Sequence, residues 1–151
     1  GYGYGIWLLL TPQTFIPFHV RHKLHITLMS NIDCKRKAQN LFFKIINKNK
    51  ITRELPRVID SASFESMKFL GSPFSAIGWK VPFENWDSIK SDLYNMYPKG
   101  NIPEIPHVSL QYYRSQDFTF VDWYHKDLRF SLNLVLVDMN DSNPQNWKII
   151  S

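Results

Sequence analysis

The chain has little of what is typical of secreted or membrane proteins. Cys34 is its only cysteine, so no disulfide can form within the chain and a reducing compartment is favoured. We interpret Cys34 as a free, half-buried thiol and not as a nucleophile. No apolar run approaches the roughly 18 residues of a membrane span. The longest, "IWLLL" at residues 6–10, has the length of a strand.

The sequence also lacks a signal peptide pattern, a linker and a common hydrolase motif, and this narrows the class of protein further. The first residues, "GYGYG", have neither a basic region nor a cleavage-site pattern, so we expect no signal peptide. We therefore expect a cytoplasmic protein with no membrane partner, in the host cytoplasm if it is viral. No linker, low-complexity segment or Gly-x-Ser-x-Gly hydrolase motif occurs. The 151 residues suit a single domain, 1–151.

Basic and aromatic residues are well represented. The net charge is +5, the isoelectric point is near 9.3 and aromatics make up 15% of the chain. A basic balance favours polyanionic partners, and aromatic rings can stack on bases. Abundant Asn, Lys and Ile are typical of AT-rich genomes, including those of many viruses. We expect a nucleotide or short RNA substrate and no obligate protein partner.

Hydrophobic periodicity predicts an α+β fold with about seven strands and two helices. Helices are predicted at 31–50, with Asp33 as N-cap, and at 83–97. The apolar stripe of the first helix comprises Leu41, Phe42, Ile45 and Ile46. Strands are predicted at 4–11, 23–30, 57–70 with a bend near 61–63, 74–81, 107–113, 128–139 and 145–150, and turns at 71–73 and 141–144.

Two of the predicted strands carry the same short motif. "HITL" at residues 25–28 and "HVSL" at 107–110 both read His-x-Thr/Ser-Leu. Alternate side chains of a strand share a face, so each histidine points the same way as its hydroxyl residue. If the strands meet across a cleft, two imidazoles and two hydroxyls converge. One imidazole can then accept a proton while the other donates one, and the hydroxyls can bind phosphate oxygens.

A single His-x-Thr on a strand is usually core or surface filler. Two copies on strictly alternating strands of a small basic chain favour a catalytic pair instead. Two histidines without a Cys or carboxylate at ligand spacing make a poor metal site. We therefore expect no metal and no other cofactor.

The motifs resemble those of the 2H phosphoesterases, the LigT-like group named for two H-x-[ST]-h motifs, and both match in full. "YGIWLLL", the hairpin and helix of 64–97 and the closing "LVLVDMNDSNPQNWKII" are also similar to that family. The resemblance implies two lobes, each a small antiparallel sheet with helices outside, around a central cleft. One departure is the Pro-broken segment 12–23, which is too short for the helix that many members have there.

The resemblance also implies an activity, namely cleavage of phosphodiesters at a ribose 2′ oxygen. His25 and His107 would be catalytic, and Thr27 and Ser109 would bind the phosphate. We favour small 2′-linked messengers such as 2′,5′-oligoadenylate or 2′,3′-cGAMP, whose cleavage is a form of viral immune evasion. RNA-end 2′,3′-cyclic phosphodiesterase activity and a catalytically silent nucleotide- or RNA-binding module are the alternatives. The sequence does not say which histidine is the acid.

Further substrate contacts are weaker hypotheses. Tyr113 shares the parity of His107, and Lys23 shares that of His25. Tyr4 and Trp7 lie on opposite faces of the first strand, so at most one can face the cleft. His19 and His22 are interpreted as loop surface, although either could contact phosphate.

Overall fold

The computed structural model describes residues 2–16, 20–48, 50–70, 74–114 and 127–151, without the side chains of Lys48, Phe74, Tyr113 and Arg114. The described residues form an α+β fold, as predicted, whose strands are paired antiparallel. The helices are α1 (Lys35–Lys48), α2 (Lys50–Glu54) and α3 (Trp86–Met96). The strands are β1 (Tyr4–Pro12), β2 (His25–Ile32), β3 (Val58–Asp60), β4 (Glu65–Phe69), β5 (Phe74–Lys80), β6 (His107–Arg114), β7 (Arg129–Asp138) and β8 (Lys148–Ile149).

One sheet, and not the expected two, runs through the molecule. Its strand order is β3-β7-β1-β2-β6-β5-β4, with β8 on β7. The two groups of strands meet between β2 and β6, where Ile26 pairs with Val108 in a single-residue register. Both side chains are completely buried in one shared core, and this common burial draws the two groups into one sheet. We call this β2–β6 junction the seam.

The strand predicted at residues 57–70 is two strands in the structure, β3 and β4. A short 3-10 helix, Ser61–Ser63, separates β3 from β4 at the predicted bend. The Ser61 backbone N–H donates to the carbonyl of Leu128, and the Leu128 N–H donates to the Ser61 hydroxyl, both at 2.8 Å. These bonds replace the interrupted ladder and keep β3 beside β7.

The main core lies on the helix-covered side of the sheet. Helix α1 buries Ala38, Leu41, Phe42 and Ile45 there, and α3 buries Trp86, Ile89 and Leu93. Ile46, predicted in the apolar stripe, is instead 43% exposed, because the narrow buried face of α1 ends at Ile45. The longest described helix has 14 residues, and none of the described helices has the length and apolar character needed to cross a bilayer.

The prediction of Asp33 as N-cap of α1 is wrong. The Ala38 N–H donates to the carbonyl of Cys34, so the helix begins one residue later than an Asp33 cap would require. The Asp33 carboxylate instead accepts from Lys37 Nζ at 3.0 Å and from the Tyr97 hydroxyl at 3.1 Å. It thus joins α1 to the end of α3. The predicted turn at residues 71–73 lies outside the described residues.

Candidate active site

The two histidine motifs lie beside each other across the seam. The middle residues of the motifs, Ile26 and Val108, form its one register pair. Extending an antiparallel register by one residue in each direction sets each histidine opposite the hydroxyl residue of the other motif. His25 then faces Ser109, and Thr27 faces His107. All four residues line one cleft, on the face opposite the buried middle residues.

Both imidazoles are held by the same type of hydrogen bond, from Nδ1 to the backbone carbonyl two residues earlier. His25 Nδ1 lies 2.7 Å from the carbonyl of Lys23, and His107 Nδ1 lies 2.9 Å from the carbonyl of Ile105. A carbonyl only accepts, so each Nδ1 carries a proton and donates it. Nε2 is then the nitrogen that titrates in each ring, and it makes no hydrogen bond to any described residue.

His25 is the more deeply buried of the two. Its side chain is 5% exposed, and its ring stacks on Trp7 with centroids 3.5 Å apart and planes 9° apart. Burial lowers the pKa of His25 to about 3; the carbonyl of Lys23 opposes this shift, and the neighbouring imidazoles of His22 and His107 add to it. His25 is therefore neutral near pH 7, with a free lone pair on Nε2.

His107 is only half-buried. Its ring packs on Phe69 of the edge strand β4, with centroids 4.0 Å apart and planes 33° apart. Burial lowers the pKa of His107, and the hydrogen bond to Ile105 raises it. Because this ring is the more accessible to solvent, its charged form is the less strongly penalised of the two.

Gly78 of β5 allows close packing beside His107. It pairs with Ser109, and a Cβ placed on it would lie 2.0 Å from the carbonyl oxygen of Val108 and 3.1 Å from the Phe69 ring. Only a residue without a side chain allows β6 and the Phe69 ring to approach this closely.

The cleft above the four motif residues has a volume of about 350 Å³. Its described lining includes four aromatic residues together with hydroxyl side chains and the carboxamide of Asn101, and none of the described lining residues is an aspartate or glutamate. The aromatic members are Tyr2, Phe69, Tyr112 and Trp147. Such a lining suits an anionic ligand that carries a flat ring.

His22, interpreted from the sequence as loop surface, lies in the site. Its Nε2–H donates to the carbonyl of Ser109 at 2.7 Å, across the seam. Its ring centroid is 6.3 Å from that of His25 and 5.2 Å from that of Tyr112. Burial lowers the pKa of His22, and the bond to Ser109 raises it. The only signal in the sequence was its position three residues before His25. His19 lies outside the described residues.

A β-bulge on β6 turns Tyr112 toward the cleft. On β6, Ser109 pairs with Gly78 but Gln111 pairs with Ile77, so Leu110 is an extra residue without a partner on β5. The bulge reverses the alternation beyond it, and Tyr112 lines the cleft. The side chain of Tyr113, which we predicted from simple parity, lies outside the described residues.

Three other predicted contacts, Tyr4, Trp7 and Lys23, do not line the cleft. Tyr4 packs against the main core on the far face of β1, which corrects its predicted place at the cleft. Trp7 faces the site but is 1% exposed beneath His25, so it supports the imidazole and cannot stack on a base. Lys23 is exposed, and its Nζ donates to the carbonyl of Trp147 at 3.2 Å. This hydrogen bond holds the backbone of Trp147, which lines the cleft.

Within the part of the chain that the structure describes, no three His, Cys, Asp or Glu side chains are grouped so that they could hold a metal ion. The chemistry that this cleft offers through its described side chains is proton transfer by imidazoles and hydrogen bonding by hydroxyls.

Comparisons of the chain with protein-family models, with curated proteins and with solved structures gave no match. A function is therefore inferred from the residues of the cleft and their geometry.

Proposed function

We propose that the protein is a metal-independent phosphodiesterase of the 2H type, acting on 2′-linked phosphodiesters in small nucleotides. The observation that carries the proposal is the pairing of the two His-x-Thr/Ser motifs around Ile26 and Val108, which presents two Nε2 atoms and two hydroxyls to one cleft. Acid–base cleavage of a phosphodiester needs these groups: a proton acceptor, a proton donor and donors to the phosphate oxygens.

His25 acts as the general base in this proposal, because its deep burial keeps it neutral. On a 2′,5′ linkage, His25 Nε2 accepts the proton of the 3′-hydroxyl, and the 3′ oxygen forms a bond to phosphorus. The bond from phosphorus to the 5′ oxygen breaks, and His107 Nε2–H protonates that leaving oxygen. The products are a 2′,3′-cyclic phosphate and a free 5′-hydroxyl. On a 2′,3′-cyclic substrate, water would replace the 3′-hydroxyl.

The charge of the substrate helps to prepare the acid. Both histidine pKa values are lowered in the free protein, mainly by burial. A phosphate anion beside them favours the charged imidazole, and His107 takes up the proton more readily because it is the less buried. The hydroxyls of Thr27 and Ser109 donate to the non-bridging oxygens. None of the described lining residues carries a carboxylate that would repel the phosphate.

The size of the cleft favours a small ligand. Its volume of about 350 Å³ is at the low end of the roughly 300–1,000 Å³ typical of small-molecule sites. This supports a small nucleotide as the substrate; 2′,5′-oligoadenylate and 2′,3′-cGAMP are proposed for their 2′ linkages.

Product analysis by mass spectrometry in EDTA tests the proposal. The wild type, His25→Ala and His107→Ala are each mixed with 2′,5′-triadenylate, 3′,5′-triadenylate, 2′,3′-cGAMP and 2′,3′-cyclic AMP. We expect cleavage confined to the 2′-linked compounds and lost in both variants, with circular dichroism showing that the variants remain folded. Opening of 2′,3′-cyclic AMP alone would assign the protein to RNA-end processing. Binding without any cleavage would support a silent binding module.

A further inference from the structure

A second cavity adjoins the catalytic cleft. It has a volume of about 470 Å³ and shares Tyr112 and Pro144 with the cleft. Its other described lining residues are Arg21, His22, Leu110, Gln111, Asn143 and Gln145. We call this cavity the side pocket. A ligand that extends past Tyr112 from the catalytic histidines would enter it.

The described side chains of the side pocket can bind an anion. None of its described lining residues is acidic, and three carry carboxamides. Arg21 is exposed and makes no hydrogen bond or ion pair with any described residue. Tyr112, whose pKa is raised by burial and lowered by a hydrogen bond with the Ser109 side chain, has a neutral phenol that can donate a hydrogen bond. A guanidinium with free donors fits a phosphate group in a bidentate way.

We propose that the side pocket binds a second phosphate of a linear oligonucleotide, with Arg21 as its main ligand. This inference rests on the proposed function for the position of the first phosphate, at His25 and His107. It selects a substrate class: 2′,5′-oligonucleotides with at least two phosphates, in preference to 2′,3′-cyclic mononucleotides. The carboxamides of Gln111 and Gln145 would contact the sugar or base joined to that phosphate.

A comparison of chain lengths tests this selection. The trimer 2′,5′-triadenylate has a second phosphate, and the dimer 2′,5′-diadenylate has none. We expect a kcat/KM about tenfold higher for the trimer, the size of one charge-assisted hydrogen bond. Arg21→Gln should bring the trimer-to-dimer ratio close to one. Arg36→Gln is the matched control, because Arg36 is an exposed arginine on α1 that lines neither the cleft nor the side pocket. A ratio unchanged by Arg21→Gln would overturn the inference.

A binding measurement separates this inference from the proposed function. Adenosine 5′-monophosphate is titrated into 15N-labelled protein, and the side-chain amide resonances of Gln111 and Gln145 are followed. We expect shifts in the wild type and in Arg36→Gln, and binding at least several-fold weaker in Arg21→Gln. If these shifts occur but no substrate is cleaved, the side pocket stands and the proposed function fails. If substrates are cleaved but neither amide responds, the side pocket is disproved and the proposed function stands.

Discussion

The His25 half and the His107 half of the cleft contain the same motif in different surroundings. Both imidazoles donate Nδ1–H to the carbonyl two residues earlier, and both lie opposite a hydroxyl residue. His25, however, stacks on Trp7 of the central strand β1, whereas His107 packs on half-buried Phe69 of the edge strand β4. The same motif thus produces two histidines of unequal proton affinity, because burial is the main cause of both pKa shifts and is deeper at His25.

The largest expected effect tests the division of roles between the two histidines. His25→Ala and His107→Ala should each lower kcat/KM on 2′,5′-diadenylate by about 10³-fold, within the range for general acid–base groups. On adenosine 2′-(4-nitrophenyl phosphate), 4-nitrophenolate leaves without a proton, so His107→Ala should recover most of its activity. His25→Ala should remain inactive, because the 3′-hydroxyl must still lose its proton. Recovery in His25→Ala instead would reverse the roles.

The next effect concerns the rings beneath the histidines. Trp7 is fully buried, so Trp7→Ala should lower the free energy of unfolding by about 3–5 kcal/mol. Phe69→Ala should lower the free energy of unfolding clearly less, because Phe69 is only half-buried on an edge strand. Urea unfolding of both variants measures the two costs. Equal values would show that the two halves are packed alike and would remove the basis of the comparison.

The two histidines should also contribute unequally to the dependence of the unfolding free energy on pH. The pKa of His25 is about 3 in the folded protein and 6.5 in the reference state, so as pH falls the unfolded chain binds the proton first. Stability should therefore decrease as pH falls from about 6.5 to about 3, with His25 contributing up to about 1.4 kcal/mol per pH unit. His25→Asn should flatten the dependence of unfolding free energy on pH more than His107→Asn does. The opposite ranking would contradict the burial argument.

The smallest effect sharpens the role of His22, which has no counterpart in the His107 half among the described residues. His22→Leu removes the side-chain bond across the seam, whereas His22→Gln retains a donor. We expect about a tenfold loss of kcat with little change in KM for His22→Leu, because Ser109 is held less precisely. The glutamine variant should retain most of the activity. Faster amide exchange in β6 of the leucine variant alone would support a positioning role; equal losses in both variants would refute it.

Several structural predictions came directly from local patterns. Alternation in "KLHITLMS" and "HVSLQYY" identified both motif strands and the face shared by each histidine and its hydroxyl residue. Helical spacing identified α1 and α3, and the polar break at residues 61–63 was correctly predicted as a bend. The five-residue helix α2 was missed, because so short a segment has no readable period.

Predictions failed where a partner strand decides the outcome. The bulge at Leu110 brought Tyr112 to the cleft, which simple parity did not predict, because a bulge depends on how two strands pair. The fusion of two expected sheets into one depends on Ile26 and Val108 sharing a core, and these residues are far apart in the chain. His22 was undervalued because its acceptor, the Ser109 carbonyl, is backbone and leaves no trace in the sequence.

The sequence by itself determined the α+β class, the positions of the motif strands and the shared face of each histidine and its hydroxyl residue, because alternation and periodicity are properties of neighbouring residues. Only the tertiary structure decided that the motifs pair with each other, that Trp7 buries His25 more deeply than Phe69 buries His107, and that Arg21 and His22 line the side pocket. The physical reason is that burial, and with it proton affinity, depends on which distant residues exclude water from a side chain.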